Sequence, residues 1–364
     1  MLNKNLSKIN KFLFAISCFL LSFCFAFCLS KNTFVERQIA AENAQNQKSF
    51  FLQKNFPFGK VCKNLSLPSA TLGGDVYAFD FKCEGVIVKE FEDVRTLEGY
   101  AGPMKNSGIK TGNIITKVNG ESLAGAADFA SKIEKSDGAV NLEYLDGNKV
   151  KNANVFPVAN LSGTKKLGVW VKDDVSATGT LSFTDNSTGV FYALGHGIFD
   201  FETGAKVKTS EGIVRKCKVI GTNKSFPGSV GEIKTVFEFE KAGEASLNGN
   251  FGAVGKLNET QAGKIMPLAT SGEIKIGKAK IYCTIDSTGA KEYECEIIKI
   301  SQNRENQNLT IRITDRSLID KTGGIVQGMS GSAIIQNDKI VGVLTHSFVN
   351  NPKLGFAVLP EKII

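Results

Sequence analysis

The chain has 364 residues, a length that predicts two or three domains, each large enough to bury a core. Its formal net charge of +8 is spread along the sequence. No dense run of lysine and arginine is interleaved with aromatic residues, so nucleic-acid binding is not predicted. Glycine is abundant, and short segments rich in Val, Ile, Thr and Phe alternate with turn signals. This pattern favours a mainly β protein.

The N-terminus carries the pattern of a membrane-targeting segment. Lys4, Lys8 and Lys11 precede an uncharged stretch of 18 residues, FLFAISCFLLSFCFAFCL, at residues 12–29. This is long for the core of a signal peptide and just long enough to cross a bilayer. Positive charge on the N-terminal side predicts that the tip stays in the cytoplasm and the rest is exported. Residues 1–30 are therefore predicted to be a cytoplasmic tip and transmembrane signal anchor, and an ordinary cleaved signal peptide is the alternative.

The next two segments differ in character. Residues 31–73 are polar and irregular, and we interpret them as a linker that holds the folded part away from the membrane. In residues 74–160, the sequence SGIKTGNIITKVNG precedes an amphipathic helix, a strand, an Asp-Gly hairpin turn and another strand. This order and motif resemble a bacterial PDZ domain.

The PDZ resemblance implies a groove between a strand and the long helix, which takes an extended peptide as an added strand. Backbone N–H groups of a loop before that strand would bind the terminal carboxylate of the peptide. By this resemblance the loop falls on Val76, Tyr77, Ala78 and Phe79, with Ala78 and Phe79 in place of the usual Gly-Phe. The alternative is that all four are ordinary residues of a core strand.

Residues 167–364 alternate apolar and polar residues between turns, with no β-α-β rhythm. A barrel or sandwich of antiparallel strands is expected here.

Five cysteines lie outside the apolar N-terminal stretch: Cys62, Cys83, Cys217, Cys283 and Cys295. No Cys-x-x-Cys pair occurs, so a structural zinc site is not predicted. Cys283 and Cys295 flank the turn DSTGAKEY. A disulfide between them in an oxidising exterior is one interpretation, and two unpaired buried thiols are the other.

The sequence GMSGS at residues 328–332 presents a serine between two glycines before an apolar hairpin. A serine hydroxyl becomes a nucleophile only when a base takes its proton and N–H donors stabilise the oxyanion. The glycines permit a tight turn that would point the N–H groups of Gly328 and Ser330 at one spot, which predicts an oxyanion hole. Ser330 is the candidate nucleophile and Ser332 its competitor. An ordinary turn is the alternative.

The chain has two histidines, so there are two candidates for the base. His196 lies between Gly195 and Gly197 after an apolar strand, so the backbone can bend and leave the imidazole open to a cleft. His346 lies in VGVLTH, a pattern typical of a histidine within a strand. His196 is therefore the predicted base, with His346 as the second choice.

The serine motif and its hairpin resemble the nucleophile region of chymotrypsin-like proteases. The chain as a whole resembles the SpoIVB peptidases, serine proteases of stage IV of sporulation. The resemblance rests on the order of a signal anchor, a PDZ-like unit, the sequence ALGHGIFD and the sequence ITDRSLIDKTGGIVQGMSGSAIIQNDKIVGVLTHSFVNNPKLGFAV. This resemblance implies a chymotrypsin-like double β-barrel in residues 167–364. It also implies a catalytic triad that falls on His196, Asp315 and Ser330.

Of the three predicted triad residues, the acid has the most alternative candidates. Asp315 would hold the imidazole tautomer and stabilise the imidazolium. Asp200 and Asp320 are alternative acids, and a turn residue at a strand end is the other role for Asp315.

The family resemblance implies an exported, membrane-tethered serine endopeptidase that makes limited cleavages in sporulation signalling, with no metal or organic cofactor. Its substrate would be a protein regulator of a membrane-embedded protease, in the space between the forespore and mother-cell membranes. The outcome would be activation of a late mother-cell sigma factor. Self-cleavage near the N-terminus and capture of a chain terminus by the PDZ-like unit are further expectations. A non-catalytic PDZ scaffold with an inactive protease-like domain is the competing class.

Overall fold

The computed structural model describes residues 69–364 except residues 201, 206–208, 260, 302–303 and 305–306, and the side chains of residues 209–211 and 246–248 also lie outside the description. These residues belong to the second of two compact units, Leu65–Ile364, the first being Met1–Asn64. The predicted signal anchor, residues 31–68 of the predicted linker and Cys62 therefore lie outside the described residues. Among the helices of the described part, none is long and apolar enough to span a bilayer.

The described residues are mainly β, as the sequence predicts, and their strands are numbered β1 to β23. The first ten strands are β1 Ser69–Leu72, β2 Val76–Phe91, β3 Val94–Thr96, β4 Gly99–Ala101, β5 Ile114–Val118, β6 Glu121–Ser122, β7 Val140–Asp146, β8 Lys149–Val155, β9 Val158–Ala159 and β10 Lys165–Lys166. The next seven are β11 Val169–Thr184, β12 Val190–Leu194, β13 Thr209–Asn223, β14 Glu232–Phe237, β15 Gly243–Gly249, β16 Gly252–Leu257 and β17 Ile265–Pro267. The last six are β18 Gly277–Cys283, β19 Lys291–Ile300, β20 Leu309–Ile313, β21 Ala333–Gln336, β22 Lys339–Phe348 and β23 Asn351–Val358. The helices are α1 Ala126–Glu134, α2 Arg316–Thr322 and α3 Pro360–Ile363, with a 3-10 turn at Ser271–Glu273.

The last six strands close a barrel in the order β18-β19-β20-β23-β22-β21. The alternation of the sequence explains its core, because successive strand residues point to opposite faces. In β20, Leu309, Ile311 and Ile313 are buried while Thr310 and Arg312 are not. This barrel carries the Ser330 loop at the start of β21.

Earlier strands form another closed circuit of antiparallel pairs, here called the first circuit because it comes first in the chain. It joins β2, β11, β12, β16, β15 and β13, and the pairing of β2 with β11 closes it. Large apolar side chains cluster in its core, including Phe79, Phe81, Leu181, Phe191 and Leu194. Two successive six-stranded circuits are the strand pairing that a double barrel requires.

Between β2 and β11 the chain forms a smaller unit around α1. Its strands β5, β7 and β8 extend the sheet from the second half of β2. Phe129 and Ile133 of α1 are buried and pack with Val118 and Leu142 in one hydrophobic cluster. The order of strand, turn, helix, strand and hairpin is the order that the sequence predicted.

The predicted boundaries of this smaller unit are wrong. Ser69–Leu72 is a strand paired with β11, not a linker, and β2 up to Cys83 pairs with β11 and β13 in the first circuit. The second half of β2 then pairs with β5 and with the first half of β11. Both long strands run from the circuit into the smaller unit, which is therefore an insertion between two barrel strands.

The four cysteines of the described residues are free and buried. Cys295 lies opposite Ala279 in the ladder and Cys283 lies opposite Lys291, so Cys283 and Cys295 do not face each other across it. The disulfide interpretation is therefore wrong. Burial raises the pKa of Cys283 to about 12, which keeps this thiol protonated and unreactive.

Candidate active site

Ser330 lies in a tight loop between α2 and β21 whose conformation requires its glycines. Gly328 has φ 95° and Gly331 has φ 99°, in the left-handed region that side chains rarely adopt. A Cβ added at Gly331 would lie 1.9 Å from the Thr180 carbonyl oxygen, and one at Gly328 would lie 3.1 Å from Cβ of Ile233. The two glycines thus let the Ser330 loop pack directly against β11 and β14.

The backbone N–H groups of this loop fall into two groups. Met329 and Gly331 donate theirs to backbone carbonyls at 3.2 and 2.8 Å. For the N–H groups of Gly328 and Ser330, no acceptor is present among the described residues. An oxyanion hole needs N–H donors that remain available for a substrate oxygen. These two donors are the pair that the sequence predicted.

Thr180 of β11 fixes the orientation of the Ser330 loop. Its Oγ1 donates to the Gly328 carbonyl at 2.8 Å, and its N–H donates to the Ser330 carbonyl at 2.8 Å. Thr180 is fully buried, so water does not compete for these bonds. A strand of the first circuit therefore holds the Gly328–Met329 and Ser330–Gly331 peptides of the loop.

His196 follows β12 at a sharp bend. Leu194 has φ 73° and Gly195 has φ 70°, and for Leu194 this left-handed conformation costs roughly 1–3 kcal/mol. A Cβ added at Gly195 would lie 2.8 Å from the carbonyl oxygen of Leu344. The same carbonyl accepts the N–H of Gly331 at 2.8 Å. The backbone beside His196 and the Ser330 loop therefore converge on one residue of β22.

The protonation of His196 suits a general base. Its Nδ1 lies 2.9 Å from the Gly197 carbonyl oxygen. Because a carbonyl only accepts, Nδ1 carries the proton and Nε2 keeps the lone pair that a base needs. Desolvation lowers the pKa of His196, and the Gly197 carbonyl raises it by a smaller amount. The net direction is downward, so the imidazole is neutral at pH 7.

His346 of β22 lies beside His196, with ring centroids 4.8 Å apart and ring planes at 35°. Desolvation and, second, the charge of His196 lower the pKa of His346. Solvent reaches the exposed part of the His346 side chain and reduces this effect. The structure thus brings together both histidines that the sequence offered as bases.

The Ser330 hydroxyl points at the backbone rather than at a base. Its Oγ donates to the Thr345 carbonyl oxygen at 2.9 Å, one residue before His346. No hydrogen bond joins Ser330 to His196 among the described contacts. Catalytic hydrogen bonds often form only when substrate binds. Rotation of the Ser330 side chain away from Thr345 is therefore the change that a productive complex requires.

Asp315 is not brought to His196, and its assignment as the acid of a triad is wrong for this structure. Asp315 is the N-cap of α2, where its Oδ1 accepts from Leu318 N–H at 3.0 Å and from Ser317 Oγ at 2.6 Å. Its Oδ2 accepts from Glu294 N–H at 3.3 Å. Desolvation acts to raise the pKa of this carboxyl, but the hydrogen bonds outweigh it and lower the pKa. The observed role is that of a helix N-cap, two residues after the end of β20.

Replacement of Asp315 by alanine separates the two roles. We expect Asp315→Ala to reduce the free energy of unfolding by about 0.5–2 kcal/mol through loss of the cap. Its rate of reaction with a fluorophosphonate at Ser330 should stay within about threefold of the parent, whereas removal of a triad acid lowers kcat about 10⁴-fold. Urea unfolding and labelling kinetics check this, with Asp320→Ala on the exposed side of α2 as the control. A loss of labelling near 10⁴-fold at unchanged stability would restore Asp315 to the triad.

The two alternative acids are also placed elsewhere. Asp200 is buried, forms an ion pair with Lys172 and accepts from Thr203 Oγ1 at 2.6 Å. Asp320 is exposed on α2. Among the side chains that the structure describes, no carboxylate contacts the His196 ring.

Val76, Tyr77, Ala78 and Phe79 do not form a carboxylate-binding loop. They are between 0% and 8% exposed, and Tyr77, Ala78 and Phe79 pair with β11 on one side and β13 on the other. A strand with partners on both edges has no unpaired backbone groups to offer an added strand. The four residues are ordinary residues of a core strand, which was the alternative interpretation of the sequence.

An unpaired strand edge beside a helix lies on β11 instead. Residues 169–172 pair with the second half of β2, and no other strand of the described residues pairs with them. At one end of α1, Ala126 N–H donates to Asp173 Oδ2 at 2.9 Å, and just beyond its other end Lys165 Nζ donates to the Ser136 carbonyl. The helix therefore runs antiparallel to this segment.

A sequence signal for this edge was available. Leu167-Gly168-Val169 places a glycine before an apolar residue at the start of a strand, as the loop of a PDZ domain requires. Gly168 has φ 69°, and a Cβ there would lie 2.3 Å from the Glu92 carbonyl oxygen. The loop was predicted at Val76 to Phe79, before the helix in the chain, whereas this strand follows the helix.

Comparison with known proteins gives a family and two structures. A family described as SpoIVB peptidase S55 matches residues 163–364, just over half of the chain. The curated proteins contain no match. Two crystal structures of Rv3671c in an inactive form, one of a serine-to-alanine mutant from M. tuberculosis H37Rv and one called a protease, are each 14% identical with a TM-score of 0.28. Both cover 51% of this chain, and the coverage of their own chains is 78% and 81%.

Proposed function

Because the chain belongs to the SpoIVB peptidase S55 family, we propose that it is a serine endopeptidase with Ser330 as its nucleophile. The observation that carries the proposal is the convergence of the Ser330 loop and the His196 bend on the Leu344 carbonyl. Beside it, the N–H groups of Gly328 and Ser330 have no acceptor among the described residues. A non-catalytic scaffold would have no need of either feature.

The proposed reaction follows from these positions. A substrate displaces the Ser330 hydroxyl from the Thr345 carbonyl, and His196 Nε2 accepts its proton as Oγ attacks the scissile carbonyl. The N–H groups of Gly328 and Ser330 bind the oxyanion of the tetrahedral intermediate. His196 then donates the proton to the leaving amine, and water releases the acyl group from Ser330 by the same steps in reverse.

We further propose the setting that the family resemblance implies: an exported, membrane-tethered enzyme acting in sporulation signalling. It would make limited cleavages in a protein regulator of a membrane-embedded protease, and in its own N-terminal region, so that a late mother-cell sigma factor becomes active. Support comes from the family and from the lysines and apolar stretch in residues 1–30.

This setting is tested in an endospore-forming host that lacks its own family member. The full chain should restore a reporter that depends on the late mother-cell sigma factor, and Ser330→Ala should not. Equal restoration by Ser330→Ala would contradict a proteolytic role in the signal.

For the smaller unit we propose binding of an extended peptide terminus between α1 and residues 169–172 of β11. The unpaired edge supplies main-chain donors and acceptors to an added strand. Val169, Val171 and Ala126 of α1 are partly buried and pack against the same hydrophobic cluster, so the two valines lie on the helix side of the strand. Trp170, on the opposite face, is 57% exposed.

A matched pair of variants tests this groove. Val169→Asp places a charge on the helix side and should weaken binding of peptides with free C-termini about tenfold or more, since an unpaired charge is desolvated there. Trp170→Asp places the same charge on the other face and should leave binding unchanged. Affinities from a displayed peptide library measure both, and equal affinities in the two variants would refute the groove.

A further inference from the structure

The rings of the two histidines pack against each other, and no hydrogen bond between them is present among the described contacts. Their ring centroids are 4.8 Å apart and the planes are tilted by 35°, a separation typical of packed aromatic rings. His196 is partly buried, and His346 is exposed at the surface beside it. The more exposed His346 ring therefore lies beside the less exposed His196 imidazole.

Among the described residues, the His196 ring makes one hydrogen bond. Its hydrogen bond to the Gly197 carbonyl fixes Nδ1, but no carboxylate of the described side chains contacts the ring. A base anchored at one nitrogen needs a second constraint to keep Nε2 aimed at Ser330, because small misplacements of catalytic groups can lower rates about 10²-fold.

We propose that His346 is a positioning residue for His196: its ring covers one face of the imidazole, fixes the ring plane and excludes water from that face. The role rests on the proposed function, because it concerns the base of the same site. His346 acts here through the face of its ring, so an aromatic ring without nitrogens can replace it.

Few groups shift the pKa values of His196 and His346. Desolvation and the Gly197 carbonyl act on His196, while desolvation and His196 act on His346. No lysine, arginine or carboxylate of the described residues shifts either pKa. Since burial holds the pKa of His196 low, removal of the covering ring admits water and should raise that pKa toward about 6.5.

Because the chain has two histidines, NMR titration of the imidazole Cε1–H groups in the full chain reports His196 directly. His346→Phe keeps a ring, whereas His346→Ala and His346→Leu remove it, and each variant leaves one histidine signal. We expect the pKa of His196 to stay below about 6.5 in the parent and in His346→Phe, and to rise in both ringless variants. Two ringless variants guard against one that fails to fold.

Fluorophosphonate labelling of Ser330 across pH supplies the second readout. The ringless variants should label about tenfold more slowly, with the acid limb of the profile moved to higher pH, while His346→Phe stays within about threefold of the parent. An unchanged His196 titration in all variants would overturn the proposal, as would a Phe variant that behaves like the ringless ones. If the parent fails to label although His196 titrates as expected, the fault lies with the proposed peptidase function and not with the role of His346.

Discussion

Replacement of Ser330 by alanine should reduce hydrolysis of a peptide bond by the full chain roughly 10⁴- to 10⁶-fold, with stability close to that of the parent. Ser330 Oγ makes a single hydrogen bond, to the Thr345 carbonyl, so its loss removes the nucleophile with little structural cost. The Gly328 and Ser330 N–H groups remain in place and account for the residual rate. Cleavage of fluorescently labelled casein and thermal unfolding measure the two quantities.

The matched control is Ser332→Ala, which removes the competing serine of the same motif. Ser332 is fully buried, and its Oγ donates to the Met329 carbonyl at 2.5 Å. We expect this variant to lose about 1 kcal/mol of stability and to retain hydrolysis within about tenfold. Abolished activity in a folded Ser332→Ala with activity kept in Ser330→Ala would exchange the two assignments.

Replacement of His196 by alanine should lower hydrolysis by a similar factor, because the serine hydroxyl is not a nucleophile without a base. The double variant with Ser330→Ala should be no slower than either single variant, since the two residues act as one unit. Alanine at this position removes the contact with the Gly197 carbonyl but leaves the bend at Leu194 and Gly195 intact. The fold is therefore expected to survive.

The role of His196 as the base also predicts how hydrolysis by the parent depends on pH. The base works only when neutral, so activity rises with pH through the pKa of His196. Because burial lowers that pKa, the acid limb should lie below about 6.5, the value of an exposed histidine. An acid limb at or above this value, or a His196→Ala variant that keeps its rate, would contradict the assignment of the base.

Some features of the candidate site depend on the local sequence alone. Gly195 lies in the bend before His196, and Gly331 lies in the tight loop after Ser330. Both positions require glycine, because a Cβ at either would clash with backbone atoms. The scarcity of histidine reduced the choice of base to His196 and His346, and the structure places them together. Local conformation and a short candidate list were sufficient here.

The parts that the sequence predicted wrongly depend on pairing between distant strands. Asp315 follows β20 and caps α2 through local bonds to Ser317 and Leu318, but its separation from His196 depends on how distant strands place the two residues. Val76 to Phe79 look like any alternating strand until β11 and β13 are placed on both sides. The insertion of the smaller unit between β2 and β11 is likewise a property of the sheet, because each of these two strands contributes to both cores.

Tandem mass spectrometry of the full chain in detergent, after treatment with a fluorophosphonate, tests the nucleophile and the base together. We expect a single adduct on Ser330 that disappears in Ser330→Ala and in His196→Ala. An adduct on another serine would contradict the assigned nucleophile. No adduct on a folded chain would contradict the peptidase itself, and the smaller unit with its peptide-binding edge would then become the functional part of a non-catalytic scaffold.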